Sequence, residues 1–136
     1  MSLTKAEEKV MNHLWKLRNA SVKDLLQEFE EPKPATTTLL TLLKRLKEKE
    51  FVSFHNENRY RTYYPVVSKE SYFSKSLKDM VKEFFNNSPK QFASFYAEKT
   101  DLSKEDLESL KKIINSQIEK KSTLLIFLHP YFLELG

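Results

Sequence analysis

The chain lacks cysteine altogether and has one glycine, Gly136, among its 136 residues. Without thiols there is no disulfide framework, thiolate metal site or cysteine nucleophile, which fits an intracellular, cytoplasmic location. Without an internal glycine, the phosphate-cradling loops of dinucleotide and nucleoside-triphosphate sites are excluded, because both need glycine where the backbone closes on phosphate. Long apolar runs are missing too. The longest, Leu124 to Leu128, resumes after His129 and Pro130 as far as Leu133, well short of the roughly 20 residues of a spanning helix. The opening Met1-Ser-Leu-Thr-Lys-Ala-Glu-Glu is charged almost at once and has no signal-peptide core. No membrane insertion is expected.

Catalytic constellations are equally scarce. His13, His55 and His129 fall in separate segments without metal-ligand spacing. His13 reads as a helix-surface residue and His55 as lying near a hairpin tip. Glu7-Glu8 and Glu30-Glu31 suit solvated charge near helix ends. No enzyme activity, metal or cofactor is expected.

What is present is 40% hydrophobic and 31% charged sequence with a net charge of +4, enough for one domain or two small subdomains sharing a core. The charge is unevenly placed. Residues 33–61 carry seven basic side chains (Lys33, Lys44, Arg45, Lys47, Lys49, Arg59, Arg61) against Glu48, Glu50 and Glu57, a balance of +4 that equals the whole chain's excess.

Thr4 with Glu7 forms a capping-box pattern ahead of Val10, Met11, Leu14, Trp15 and Leu17 at helical spacing, predicting a helix over 5–18. Ser21 with Asp24 starts a second, short helix that Pro32 and Pro34 halt after Glu31. Pro34 suits the first turn of a third helix, whose Leu39, Leu42, Leu43 and Leu46 follow the i, i+3, i+4, i+7 rule. Aromatic and β-branched residues then flank Asn56-Glu-Asn58, so Phe51–His55 and Arg59–Tyr64 read as a β-hairpin closed by Pro65, with Tyr60, Tyr63 and Tyr64 as packing residues. Three helices and a hairpin, the third helix basic, is the layout of a winged helix-turn-helix. From Ser68 the pattern is helical again, through a long apolar face, a restart at Ser88-Pro89 and a helix capped by Ser103 and Asp106. The expected fold is mainly α with a small β-hairpin: a winged helix over 1–67, a helical dimerisation domain over 68–123 and an apolar tail over 124–136. Phe73, Leu77, Met80, Phe84, Phe92, Phe95, Leu107, Leu110, Ile114 and Ile118 are more apolar surface than so small a subdomain can hide, and pairing of two copies is the simplest remedy.

On a wheel of about 100° per residue the leucines of the third helix centre near 350°, while Thr37, Lys44, Thr41 and Glu48 fall at about 140–200°. In a helix-turn-helix the first residues of the second motif helix meet base edges and flanking cations hold phosphates. Thr36, Thr37, Thr41 and Leu40 are therefore candidate base contacts, through hydroxyls or through thymine methyls. Lys44, Arg45 and Lys47 would position the helix on the backbone. Arg59 and Arg61 are expected to share one strand face, with the Asn56–Asn58 tip reaching a neighbouring groove. The rival reading is a winged-helix module that binds another protein.

These segments resemble the penicillinase-repressor family, which also includes copper-responsive repressors. The resemblance rests on Leu3-Thr-Lys-Ala-Glu-Glu-Lys-Val-Met-Asn-His-Leu-Trp, on Ala35-Thr-Thr-Thr-Leu-Leu-Thr-Leu-Leu-Lys-Arg-Leu-Lys-Glu-Lys-Glu-Phe-Val, on Arg59 to Pro65 and on Asp101-Leu-Ser-Lys-Glu-Asp-Leu, covering roughly residues 3–118. It implies a homodimeric repressor on double-stranded operator DNA of dyad symmetry, with Thr37, Thr38 and Thr41 at recognition-helix positions, Arg45 at a basic position and Arg59 as the wing arginine. In antibiotic-responsive members a membrane sensor-protease triggers cleavage in the C-terminal domain, which makes such a protease the further implied partner. Here the junction aligns near Phe95-Tyr96 and lacks the usual asparagine. The cysteine pairs of the copper-responsive branch are absent, and Glu50 and Asn58 stand where glycine is common. Nothing in the family accounts for Leu124 to Gly136, expected to pack as a simple tail.

Overall fold

A computed structural model describes the backbone of residues 2–135 and the side chains of residues 2–128. The elements are α1 (Lys5–Leu17), α2 (Val22–Glu28), α3 (Thr36–Glu48), β1 (Val52–Glu57), β2 (Tyr60–Pro65), α4 (Lys69–Phe84), α5 (Pro89–Lys99) and α6 (Lys104–Leu135). The chain divides into two compact units, one running up to Glu83 and the other from Phe84 onward.

Capping chemistry sets the helix starts of the first unit. Thr4 and Glu7 exchange both capping-box hydrogen bonds, at 3.1 Å each. Ser21 and Asp24 do the same at 3.0 and 3.2 Å. α2 stops at Glu28, earlier than the prolines alone require, because Lys33 turns back and donates to the carbonyls of Leu26 and Phe29 at 2.9 and 2.7 Å. Lys33 thus satisfies the open end of a helix. Pro34 lies before α3 and not inside its first turn: the N-cap is Ala35, extended at ψ 150°.

Leu39, Leu42, Leu43 and Leu46 of α3 pack on Val10, Met11 and Leu14 of α1 and on Leu25 of α2, all buried. β1 and β2 pair antiparallel from Val52↔Pro65 to Glu57↔Tyr60. Ala20 adds an isolated bridge to Tyr63, with N–H···O distances of 2.9 and 2.8 Å, so the segment between α1 and α2 extends the hairpin into a minimal third strand. Tyr63 is buried as expected, whereas Tyr60 is exposed, since residues an odd number of positions apart on a strand face opposite ways. His13 is half-buried, edge-on to Phe29 at 4.5 Å, and burial pushes its imidazole pKa down against the pull of Glu28.

The first unit continues beyond residue 67 for a physical reason. Trp15 donates its indole N–H to the Val67 carbonyl at 2.9 Å, and the Tyr72 hydroxyl donates to Glu8 at 2.8 Å. Tyr72 also meets Trp15 and Phe51 at 5.9 and 5.6 Å between rings, so the first turns of α4 belong to the winged-helix core. Burial, then the Glu8 carboxylate, raises the Tyr72 phenol above its ordinary pKa.

In the second unit, Ser88 caps α5, with Pro89 at its first position. Ser103 and Asp106 exchange capping bonds at the start of α6. α6 runs past residue 123 to Leu135 with no break where a separate tail was expected, since neither glycine nor proline interrupts Lys104–Leu128. The side chain of His129 and the position of Gly136 lie outside the described residues. Among the described side chains, none after Tyr72 is buried.

Candidate nucleic-acid interface

With four of its five leucines buried, α3 has one remaining face, and that face is open. Thr36, Thr37, Thr38, Thr41, Lys44 and Arg45 are all exposed, and Leu40 is 43% exposed. The 3.6-residue period makes this inevitable: burying positions 39, 42, 43 and 46 turns 37, 41 and 44 outward. No threonine hydroxyl is used in capping, because the N-cap is Ala35 and α3 has no side-chain cap bond. The Thr41 hydroxyl donates its proton to the Thr37 carbonyl at 3.0 Å. Outward, Thr41 therefore offers lone pairs and a methyl group, an acceptor and an apolar contact but no donor.

The cations divide into two groups. Lys33 and Lys49 serve the fold: Lys33 closes α2, and Lys49 donates to Glu7 at 2.8 Å and to the Ser2 carbonyl at 3.2 Å. Glu7 is 1% exposed. Burial alone would raise its carboxyl, yet Lys49 and the neighbouring Thr4 outweigh it and hold the pKa below the ordinary glutamate value. Lys44, Arg45, Lys47, Arg59 and Arg61 have no carboxylate within ion-pair distance among the described residues. Their charge is available to an external anion.

The hairpin corrects one expectation. Glu57 pairs with Tyr60, which leaves Asn58 and Arg59 as the two-residue turn, with Asn58 at φ 57°. Arg59 stands on the tip and does not share a strand face with Arg61. Arg61 instead lies over the Phe54 ring at 4.1 Å, and Lys47 of α3 approaches the same ring at 5.4 Å. Phe54 is thus an aromatic seat holding two cations, a role unseen in the sequence reading. The available signal was diagonal: Phe54 faces Tyr63, and Arg61 sits two residues from Tyr63 on the same strand. Leu40, Lys44, Lys47, Phe54 and Arg61 line one groove between α3 and the hairpin. The other predicted group, Phe73, Leu77, Met80, Phe84, Phe92, Phe95, Leu107, Leu110, Ile114 and Ile118, is exposed or half-exposed throughout.

The family model described as penicillinase repressor matches residues 3–116. The chain belongs to the penicillinase repressor family. Methicillin resistance regulatory protein MecI of Staphylococcus aureus (strain N315) is 28% identical over 116 residues, covering 85% of this chain and 94% of that protein. The penicillinase repressor of S. aureus is 24% identical over 122 residues, covering 89% and 96%. A solved structure of Bordetella bronchiseptica BpsR aligns at a TM-score of 0.44 and 15% identity, over 85% of this chain and 75% of that one. Within the penicillinase repressor family this chain is a DNA-binding transcriptional repressor and not an enzyme. Among the described residues no helix is long and apolar enough to cross a membrane.

Proposed function

We propose that the protein is a homodimeric repressor that lays α3 in the major groove of a dyad-symmetric operator, with the hairpin as a phosphate-binding wing. The observation that carries this reading is the open face of α3, where threonines, Leu40 and uncompensated cations stand opposite a fully buried leucine stripe. Thr36, Thr37, Thr38, Leu40 and Thr41 read base edges. Lys44 and Arg45 hold the phosphates flanking the helix, Arg61 is steered by Phe54 toward the groove edge, and Arg59 reaches out from the tip. Pairing through the helical region is supported by the absence of any buried side chain among the described residues after Tyr72, since a unit without a core of its own needs a partner surface. The operator and the second copy are the partners of this reading. Phe95-Tyr96 lies inside α5 and lacks the family's asparagine, so no sensor-protease is assigned.

The test is a titration against the DNA upstream of the protein's own gene and a scrambled duplex of equal length, with stoichiometry followed. Two chains should bind the native duplex preferentially, and with about 6–10 phosphates neutralised the affinity should fall roughly 10³–10⁵-fold between about 50 and 200 mM salt. Equal weak binding to both duplexes would sink the operator assignment. Failure to bind at low salt would favour the protein-binding module.

A further inference from the structure

α6 changes its surface pattern along its length. Leu107, Leu110, Ile114 and Ile118 fall at about 0°, 300°, 340° and 20° on the helical wheel, a stripe from which only Ile113, at about 240° and 58% exposed, departs. Further along, Leu124, Leu125, Ile126, Phe127 and Leu128 are consecutive and stand at about 0°, 100°, 200°, 300° and 40°, all the way round. Their exposures are 57%, 66%, 74%, 73% and 37%. A second helix covers one stripe and would leave the far side of such a segment in water. A helix apolar on every side suits surroundings that are apolar in every direction.

The approach to this segment is basic. Lys120 and Lys121 precede it across Ser122 and Thr123, and Lys111 and Lys112 lie two to three turns earlier, while Glu119 is the one carboxylate between residues 111 and 128. Five helical residues span about 7 Å along the helix axis, far less than the roughly 30 Å of a bilayer core, so the segment can meet the headgroup boundary without crossing, a shallow contact beyond the absence of membrane insertion expected from the sequence. The family match ends at residue 116, so the device lies outside the matched region.

We infer that the distal part of α6, Leu124–Leu128 behind Lys120 and Lys121, docks on an anionic lipid surface by inserting its apolar turns while the lysines meet the headgroups. The inference is independent of the DNA-reading face. Its test is flotation of the full chain with phosphatidylcholine vesicles containing one-quarter phosphatidylglycerol, and with phosphatidylcholine alone. The chain should float with the anionic vesicles and far less with the neutral ones. The double variant Ile126→Glu, Phe127→Glu should lose flotation with unchanged helical circular dichroism, as both side chains are exposed. Lys120→Gln with Lys121→Gln should weaken partitioning about 30-fold. Absence of flotation with anionic vesicles, equal flotation on both kinds, or indifference to the apolar double variant would each overturn the assignment. A fall in mass of that variant by sedimentation equilibrium, without vesicle binding by the parent chain, would assign the segment to a second copy instead.

Discussion

Glu50 holds φ 64° where α3 gives way to β1, its N–H bonded to the Lys47 carbonyl at 3.0 Å. For a residue with a Cβ this left-handed conformation costs about 1–2 kcal/mol, which glycine avoids. Glu50→Gly is therefore expected to raise stability by about 1 kcal/mol net of its added unfolded-state entropy, read as an increase in Tm. Asn58, also at positive φ, should gain less, because asparagine tolerates the region. Both positions were legible as glycine-like from the family pattern. The role of Glu7 was not: its place in a capping box was visible, but not that Lys49, forty-two residues on, closes over the buried carboxylate. Because that pairing lowers the folded pKa of Glu7, its stabilisation is complete above about pH 4.5, the ordinary value, and is lost as pH falls through the lower folded one. Lys49→Met should cost about 3 kcal/mol at neutral pH, since it strands a buried charge. It should also flatten the acid dependence: Thr4 alone then opposes burial, so less stability is lost as the solution is acidified, and denaturant titrations at several pH values check the slope.

At the scale of elements, the proposed DNA recognition divides between a helix and a turn. Thr37→Ala on α3 is expected to weaken operator binding by about 1 kcal/mol and to leave scrambled-duplex binding nearly unchanged, the mark of a base contact. Equal losses on both duplexes would remove it from the reading face. Arg59→Ala on the wing should lower affinity for every sequence and reduce the salt slope by about 1; an unaltered isotherm at low salt would detach the wing from DNA. The helices that build this surface were legible because capping boxes and a leucine period act within a few residues of themselves. The hairpin was legible in kind but shifted in detail. Strand propensity does not fix register, and pairing Glu57 with Tyr60 moved Arg59 onto the tip. Lys33 shows the same limit from the other side: its charge counted toward a basic segment, yet three-dimensional proximity to the end of α2 consumes it.

For the molecule as a whole, the two ends of the chain have opposite relations to water. The winged helix hides Val10, Met11, Leu14, Leu39, Leu43 and Leu46 completely, whereas Phe84, Phe95, Ile114 and Ile118 are 50–71% exposed. That asymmetry was partly legible, since apolar periodicity counts the surface that needs a partner, but it does not tell an intramolecular partner from an intermolecular one. The proposed dimerisation would resolve the asymmetry and also serve DNA binding, because two linked reading heads would gain effective concentration on a dyad site without any new contact to a base. The consequence is separable by mutation. Ile114→Glu with Ile118→Glu places two charges in the proposed pairing stripe, far along the sequence from α3, and should give a monomer by sedimentation equilibrium. Affinity for a full dyad operator should then fall by about 10²-fold or more, while binding to a single half-site stays close to that of the parent chain's individual head. The salt slope on the full operator should drop to roughly half, as one head neutralises half the phosphates. If the charged variant remains dimeric, the pairing surface lies elsewhere; if it is monomeric yet binds the full operator undiminished, the reading heads act independently and dimerisation is not what makes the operator selective.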